Sequence, residues 1–424
     1  MPHLAQHGRA ISAPKCHAAP VTLTIGEQSL DQLAQGALKP PLVSFVVICW
    51  NYAQYVGDAI ASIRAQDYPH FECLVINNGS TDESGSVIAH AIEGDSRFTI
   101  STLPENLGQL GAAIWALDQI KGSFVTFVDA DDILFPSFAS THLQVHLALP
   151  RNVALTSSNV IELNADGRLI TGQYDNFGRN EEDSPGLNAE QVVPRLSSVS
   201  AAQYQLLSEQ VKWRPPNRGG WCWAPGTANM FRKTVLNFCR LEGENAQRMR
   251  AADAHFNRLC HGIAGTGFID LPLSGYRQHD SNYFATSETL SGIRRGSREY
   301  ASKDADNRRE TVESVVGKAS HFNWLLAGRF WSFIDQLQNM GISPLPGYRD
   351  DPRIIEMFTR KISHICDEFG YRRSVKEIAK RFGPLTARRM FHDGLPPARY
   401  RRVRKYIATA SIRNALSALK RKRG

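Results

Sequence analysis

An alternation of strand-like and helix-like segments over residues 41 to about 160 most constrains this chain. Runs rich in β-branched and aromatic residues, such as LVSFVVIC and SFVTFVD, alternate with amphipathic segments such as YVGDAIASIRAQ. Strands that alternate with helices of roughly ten or more residues are typical of βαβ units. The alternation therefore predicts an α/β fold with a Rossmann-like, mostly parallel sheet flanked by helices.

The length of the chain predicts more than one structural unit. With 424 residues, 42% of them hydrophobic, it exceeds the size at which one core usually stops growing. Residues 1–40 lack the apolar core of a secretory signal and are predicted to be a disordered lead-in. The α/β domain is expected over 41–292, and amphipathic helices over 293–395 predict a helical C-terminal domain. No run of about 18 apolar residues predicts a spanning helix.

The positive charge is concentrated in the tail. From Arg388 to Gly424 the chain has 12 Lys or Arg against one acid, a net of +11, so the total of +8 leaves −3 for the rest. Nucleic-acid readers spread basic residues over a folded face, so no nucleic-acid partner is predicted. The seven cysteines form no C-x-x-C pair, which predicts a reducing compartment and no structural zinc.

The predicted strand FVTFVDADDILFP ends in three carboxylates, Asp129, Asp131 and Asp132. Neighbouring acids repel one another unless water or a cation screens them. Mg²⁺ and Mn²⁺ are typically held by one or two carboxylates plus substrate phosphates. Residues two apart in an extended segment point to the same side, so Asp129 and Asp131 could share one cation.

Two other strands of this half end in polar residues, at Trp50 to Tyr52 and at Asn77 to Asp82. The carboxyl ends of parallel strands are where such sheets bind ligands, so one crevice is expected. Ordinary turn and N-cap chemistry is the alternative explanation for the second of these stretches. Neither a G-x-x-x-x-G-K-[ST] nor a G-x-G-x-x-G loop follows a strand, which argues against a dinucleotide-binding dehydrogenase.

The segments VSFVVICWNYAQYVGDAIASIRAQDYPHFECLVINNGSTDES, ENLGQLGAAIWAL and GSFVTFVDADDILFP together resemble the donor-binding half of bacterial-type glycosyltransferase family 2. The resemblance runs from about Pro41 to Leu147, and more weakly through YRQHDSN. It implies a GT-A fold, a nucleotide-sugar donor, a divalent metal and transfer to an acceptor hydroxyl with inversion.

The resemblance assigns donor-binding roles to individual residues. Trp50 would stack on the nucleobase opposite Asn78, Asp129 would lie near the ribose and metal, and Asp131 would be the principal metal ligand. The family's usual Asp-Asp is here Asn77-Asn78. The identity of the base therefore stays open between uridine, as in the favoured UDP-sugar, and thymidine or guanosine.

Two downstream segments extend the expected site. In RPPNRGGWCWAPGTANMFRK, Trp221 and Trp223 could stack on an acceptor sugar while Asn217, Arg218 and Asn229 hold hydroxyls or a phosphate. The alternative is that both tryptophans close the core.

Asp253 in RAADAHFNRLC matches the segment in which the family carries its catalytic base. A helix N-cap is the alternative role for this residue, and Glu242 and Glu244 are alternative bases. His279 in GYRQHDSNYF matches the family's C-terminal motif, whose His approaches the metal, and a mixed carboxylate and imidazole site would suit Mn²⁺ as well as Mg²⁺.

The tail has an apolar stripe at helical spacing within a basic sequence, formed by Tyr400, Val403, Ile407, Ile412, Leu416 and Leu419. Such a helix over 396–424 can lie on an anionic membrane or dock on its own domain. The membrane interpretation predicts a cytoplasmic protein, peripheral at the inner face of the cell membrane, where lipid-linked acceptors lie.

Together these features predict a metal-dependent inverting glycosyltransferase that acts on a surface polysaccharide, glycolipid or other glycan. A non-catalytic nucleotide-sugar-binding or scaffold protein of the same fold is the alternative.

Overall fold

The computed structural model describes residues 39–149, 152–174, 177, 184–185, 209–217, 220–241, 251–282, 298–341 and 347–408. Nearly all of the predicted lead-in, Arg218, Glu242, Glu244 and the end of the tail lie outside these residues. No described helix combines the length and the apolarity that crossing a membrane requires.

Eleven strands form one sheet in the described part of the chain. They are β1 (Val43–Cys49), β2 (Phe71–Asn78), β3 (Phe98–Leu103), β4 (Phe124–Asp129), β5 (Ile133–Leu134), β6 (Leu155–Leu163), β7 (Leu169–Thr171), β8 (Ser184–Pro185), β9 (Val211–Arg214), β10 (Asn229–Arg232) and β11 (Thr266–Arg277).

The strand order is β3-β2-β1-β4-β10-β6-β11-β9-β8, with β5 on β11 and β7 on β6. The long pairings, among β3, β2, β1 and β4 and between β6 and β11, are parallel. The shorter pairings, including both made by β10, are antiparallel. This mixed, mostly parallel sheet confirms the predicted fold class.

The helices lie on both faces of this sheet or in the C-terminal region. They are α1 (Val56–Arg64), α2 (Ser84–Ala91), α3 (Gly108–Ala116), α4 (Phe138–Ala148), α5 (Lys233–Phe238), α6 (Ala252–Ala264), α7 (Arg298–Gly317), α8 (Ala319–Leu325), α9 (Phe330–Leu337), α10 (Pro352–Phe382) and α11 (Pro384–Gly394).

The sequence of β1 explains why helices cover both faces. Phe45 and Val47 belong to a core that includes α1, α2 and α4, whereas Val46 belongs to a core that includes α3 and α6. Successive side chains of a strand point to opposite faces, so a strand such as β1, apolar at every position except Ser44, must be covered on both sides.

The C-terminal helical region shares the second of these cores. Val312, Phe322 and Phe330 pack in the same buried cluster as Val46 and Phe256. The helical region is therefore confirmed, and its apolar core is continuous with that of the sheet rather than separate from it.

The first half of the predicted tail helix packs on its own chain. Residues 397–408 are helical, and the stripe residues Val403 and Ile407 are 0% and 7% exposed within the shared core. An apolar stripe buried in this way cannot enter a membrane, so the predicted insertion is wrong for this part of the tail. Ile412, Leu416 and Leu419 lie outside the described residues.

Three fully buried histidines predict a loss of stability in acid. Burial lowers the pKa of His146 to about 3, assisted by the positive charge of Arg232, and lowers that of His255 to about 4. Burial also lowers the pKa of His142, whose Nδ1 lies 2.7 Å from Thr156 Oγ1. In the unfolded chain such imidazoles take up protons near pH 6.5, so the unfolded state binds more protons between about pH 4 and 6.5.

We therefore expect the free energy of unfolding to fall by about 1.4 kcal/mol per pH unit per imidazole as the pH drops below 6.5. Urea titrations at pH 7.0, 6.0 and 5.0 measure this slope. His90→Gln, which changes an exposed imidazole, is the control and should keep the wild-type slope, whereas His142→Phe should reduce it. Equal slopes for both variants would contradict the assignment.

Candidate functional site

The carboxyl ends of the parallel strands meet at one edge of the sheet. Cys49 pairs with Asn77, and Ile48 pairs with Asp129, so the ends of β1, β2 and β4 lie side by side. Trp50 follows β1 at once and is 49% exposed. The register thus brings together the strand ends that the sequence predicted to share a crevice.

A turn after β1 is tied to the turn after β2. Asn51 has a φ of 58°, a left-handed conformation that Asn tolerates better than most residues. Its Oδ1 accepts a hydrogen bond from Thr81 N at 2.8 Å, and its own N–H donates to Ser80 Oγ at 3.1 Å. These bonds fix the backbone on which Trp50 is presented.

Residues 129–132 at the end of β4, here called the acid loop, are held in place by hydrogen bonds to their carboxylates. Asp131 Oδ2 accepts from His279 Nε2 and from Asn282 Nδ2, both at 2.9 Å. Asp132 accepts from Thr227 Oγ1 at 2.6 Å and from the N–H of Arg277 at 2.9 Å. Both oxygens of Asp132 therefore accept hydrogen bonds from other parts of the chain and stabilise the loop.

Arg277 fixes the same loop from outside. Its Nε donates to the carbonyl of Asp131 at 2.8 Å, and its Nη2 bonds Asp58 Oδ2 of α1 at 3.0 Å. The guanidinium also lies 4.9 Å from the ring centre of Tyr55. These contacts join the end of β11 to the acid loop and to α1.

Asp129 and Asp253 approach the same place from different elements. A Cβ on Gly226 would lie 3.4 Å from Asp129 Oδ2 and 3.6 Å from Cβ of Asp253. Because residue 226 is glycine, this volume is left between the end of β4 and the first turn of α6.

Gln109 connects these two acids through its amide. Its Nε2 donates to Asp129 Oδ1 at 2.5 Å, and its Oε1 accepts from the N–H of Ala252 at 2.8 Å. One side chain of α3 thus joins the acid loop to the start of the helix that carries Asp253.

The acids around this space disfavour one another's charge. Burial, and then the charges of Asp131 and Asp253, raise the pKa of Asp129 well above its ordinary value. Burial likewise raises the pKa of Asp253. Such a set of carboxylates suits a hard divalent cation, whose charge would offset the repulsion.

No group of three or more His, Cys, Asp or Glu side chains in the described residues could by itself hold a metal ion. His279 fits a supporting role better than the predicted direct ligation. Its Nδ1 accepts from the N–H of Ser281 at 3.2 Å, so its Nε2 carries the proton donated to Asp131.

Asn78 is engaged with the chain itself rather than facing an open crevice. It is 2% exposed, its Oδ1 accepts from the N–H of Leu107 at 3.0 Å, and its Nδ2 donates to Asn106 Oδ1 at 3.0 Å. The side chain thus holds the loop before α3, and contact with a nucleobase stays a prediction.

The predicted acceptor residues divide into buried and accessible ones. Trp223 is fully buried, with its Nε1 donating to Thr266 Oγ1 at 3.1 Å, so it offers no face to a sugar. Asn229 is also fully buried and donates to the carbonyls of residues 224–226. The acceptor interpretation does not fit these two residues, because both serve the core. Trp221 is partly exposed and Asn217 is exposed.

Asp253 lies one residue inside α6, whose N-cap is Ala251. Its Oδ1 accepts from the N–H of Ala254 at 2.7 Å, and the N-terminal end of a helix favours negative charge. The N-cap interpretation is therefore wrong in position, whereas the catalytic interpretation stays a prediction.

Sequence reasoning missed Gln109, Thr227, Arg277 and Asn282 as site residues. Arg277 and Asn282 lie within the quoted motif YRQHDSN, and Gln109 lies within ENLGQLG. Their positions within segments that resemble the family could therefore have indicated that they belong to the site. Thr227 had no such signal, because only the folded chain brings its hydroxyl to Asp132.

Comparison with known proteins matches residues 44–186 to the family model described as glycosyl transferase family 2. An uncharacterized glycosyltransferase from Haemophilus influenzae is 29% identical over 130 residues, which is 31% of this chain and 51% of that protein. The putative teichuronic acid biosynthesis glycosyltransferase TuaG of Bacillus subtilis is 33% identical over 92 residues, which is 22% of this chain and 36% of that protein. The matched segments thus span about half or less of these relatives.

Among solved structures, that of S. aureus TarS 1-349 in complex with UDP-GlcNAc is 15% identical, covers 88% of this chain and 92% of that chain, and has a TM-score of 0.44.

Proposed function

Because this chain belongs to glycosyl transferase family 2, we propose that it transfers a sugar from a nucleotide-sugar donor to an acceptor hydroxyl with inversion of configuration. The observation that carries the proposal is the convergence of Asp129 and Asp253 on the volume beside Gly226, next to the anchored Asp131. The acceptor class we propose is a hydroxyl of a surface polysaccharide, glycolipid or other glycan.

The donor would bind along the edge formed by β1, β2 and β4. Trp50 has about half of its surface free and would stack on the nucleobase. Asn78 already accepts one hydrogen bond on Oδ1, and its second lone pair is what it could offer to a base. We favour a UDP-sugar among the possible donors.

Asp131 and Asp129 are the residues that would hold Mn²⁺ or Mg²⁺ with the donor diphosphate. When bound, such a cation offsets the charge that develops on the departing diphosphate. His279 and Asn282 keep the Asp131 carboxylate in place, and Arg277 keeps its backbone in place. Gln109 does the same for Asp129.

Asp253 would accept the proton of the acceptor hydroxyl as that oxygen attacks the anomeric carbon from the face opposite the diphosphate. A single displacement of this kind inverts the configuration and needs no covalent intermediate. The first turn of α6 holds the carboxylate, and its raised pKa makes it a stronger proton acceptor than an exposed Asp.

A binding screen tests this proposal directly. UDP-, GDP- and dTDP-sugars are titrated into the protein with Mn²⁺ and again with EDTA, and release of the nucleoside diphosphate is followed with water or a glycan as acceptor. We expect one nucleotide class to bind only with the cation and to be turned over. Binding without release would support the alternative, a non-catalytic nucleotide-sugar-binding protein, and no binding would overturn both.

We further propose that the protein reaches an anionic membrane surface through charge rather than through an inserted helix. Arg401, Arg402, Arg404 and Lys405 are exposed, while the apolar stripe of the same helix is buried. Each basic side chain near an anionic surface contributes about 1 kcal/mol. Changing these four residues to Gln should weaken sedimentation with anionic phosphatidylglycerol vesicles at least about tenfold at low salt.

The matched control changes four exposed basic residues elsewhere in the helical region, namely Lys361, Arg372, Lys376 and Lys380, to Gln. Vesicle binding by the control should stay near that of the wild type. Equal loss in both variants would mean that net charge, and not this surface, governs the association.

A further inference from the structure

The C-terminal helical region contacts α6, the helix that carries Asp253. Arg258 of α6 is fully buried, and its guanidinium donates to three groups of the described residues. Nη1 donates to the carbonyl of Ala254 at 2.8 Å, Nε donates to the carbonyl of Met340 at 2.9 Å, and Nη2 donates to Asp304 Oδ1 at 2.6 Å. One side chain thus joins the first turn of α6 to α7 and to the segment after α9.

Asp304 of α7 is the acid at the centre of this connection. It is 5% exposed, and its second oxygen lies 3.1 Å from Nη2 of Arg308, which is fully buried. Arg308 in turn donates through Nη1 to the carbonyl of Gln338 at 2.7 Å. The Asp304 carboxylate therefore contacts two buried guanidinium groups.

The segment after α9 closes tightly on this pair. A Cβ on Gly341 would lie 2.3 Å from Cζ of Arg308 and 2.5 Å from Asp304 Oδ2. These separations are far below van der Waals contact, so any side chain at position 341 would force the ion pair to shift.

The last turn of α9 and the segment after it hold the loop that contains Trp221. The N–H of Gly220 donates to the carbonyl of Asn339 at 2.8 Å, and Gln336 Nε2 donates to the carbonyl of Pro216 at 2.8 Å. The indole of Trp221 lies 5.1 Å from Cζ of Arg258, a distance typical of cation–π contact.

The packing of α6 against α9 is equally close. A Cβ on Gly262 would lie 2.0 Å from the ring of Phe333, which is 1% exposed. The helical region therefore contacts α6 at two places, through Arg258 in the middle of the helix and through Gly262 near its end.

We propose that Asp304 is a positioning residue for the transfer reaction: by holding Arg258 it fixes the first turn of α6 and the accessible indole of Trp221. The helical region thereby forms the acceptor side of the active site, while the sheet edge forms the donor side. This inference rests on the proposed function only in taking Asp253 and Trp221 as groups that face the acceptor.

The test compares Asp304→Asn with Asp306→Asn, which removes an exposed acid from the same helix. UDP affinity with Mn²⁺ is measured by calorimetry, and turnover of the nucleotide sugar selected by the screen is expressed per UDP-binding site. For Asp304→Asn we expect UDP affinity within about twofold of the wild type. Turnover per site should fall about tenfold to a hundredfold, because small misplacement of reacting groups costs that much. Asp306→Asn should match the wild type in both.

Hydrogen exchange gives a readout that does not depend on activity. In Asp304→Asn, amides of 251–258 and 220–223 should exchange faster than in Asp306→Asn, while those of β1 and β4 keep the wild-type rates. If no nucleotide sugar is turned over, the proposed function fails and the exchange pattern still decides whether Asp304 positions α6. Identical exchange in the two variants overturns the inference.

Asp304→Asn leaves two buried guanidinium groups with less compensation and could fail to fold. Gln336→Met then provides the test, because it removes the hydrogen bond to Pro216 from a partly exposed side chain. We expect a raised acceptor KM with unchanged UDP affinity. Wild-type acceptor KM in this variant, with wild-type exchange over 220–223, overturns the inference.

Discussion

Asp131→Asn should abolish cation-dependent donor binding while leaving the fold intact. The amide oxygen can still accept from His279 and Asn282, so the two hydrogen bonds that anchor the side chain survive and only the charge is lost. A metal-held charge contributes several kcal/mol, and about 1.4 kcal/mol corresponds to a factor of ten, so UDP affinity with Mn²⁺ should fall at least about a hundredfold. Calorimetry with UDP and Mn²⁺ measures the change.

Asp118→Asn provides the control, because it removes an acid that is 63% exposed and pairs with Arg240. Its UDP affinity and its thermal midpoint should equal those of the wild type. If the wild-type protein bound UDP equally well with Mn²⁺ and with EDTA, the assignment of a cation to Asp131 and Asp129 would be wrong.

Asp253→Asn should keep donor binding but lower turnover by about 10² to 10⁴, the usual contribution of a general base. The amide can still accept from the N–H of Ala254, so the first turn of α6 should remain in place. Turnover is measured with saturating donor, and UDP affinity is measured on the same preparation.

A loss smaller than tenfold would mean that the proton passes to another group. Glu242 and Glu244 would then be tested by the same substitution to the amide. Asp306→Asn again serves as the control for the removal of an acid outside the site.

The donor edge was largely predictable from sequence, because it depends on local patterns. Buried parallel strands show as short apolar runs, and their polar ends mark the edge at which ligands bind. The ends of β1 and β4 therefore lie side by side, with Ile48 opposite Asp129 and Trp50 two residues further along the chain.

The acceptor side was less predictable, because it depends on contacts between distant segments. An indole suits a core as well as a sugar, and only the folded chain shows that Trp223 is fully buried whereas Trp221 is partly exposed. An apolar stripe likewise shows that one face of a helix must be buried, but it does not show whether a membrane or the protein itself buries that face. Val403 is covered by the chain itself.

Asp304 illustrates the same limit in another way. Its sequence context, a helix rich in charged residues, is typical of a solvated face. Its burial depends on Arg258, which lies 46 positions earlier in the chain. No periodicity within one helix carries information about such a pair.

The amide of Gln109 sets the distance between Asp129 and the start of α6, the helix that carries Asp253. Its nitrogen donates to Asp129 and its oxygen accepts from Ala252, so a single side chain uses one donor and one acceptor to hold two elements. A glutamate there would have no proton to donate to Asp129, and an asparagine would be one methylene too short to reach both partners without moving α6. In the proposed reaction, the length of the Gln109 side chain thus sets the width of the gap between Asp129 and the start of α6, which the sugar would have to fit.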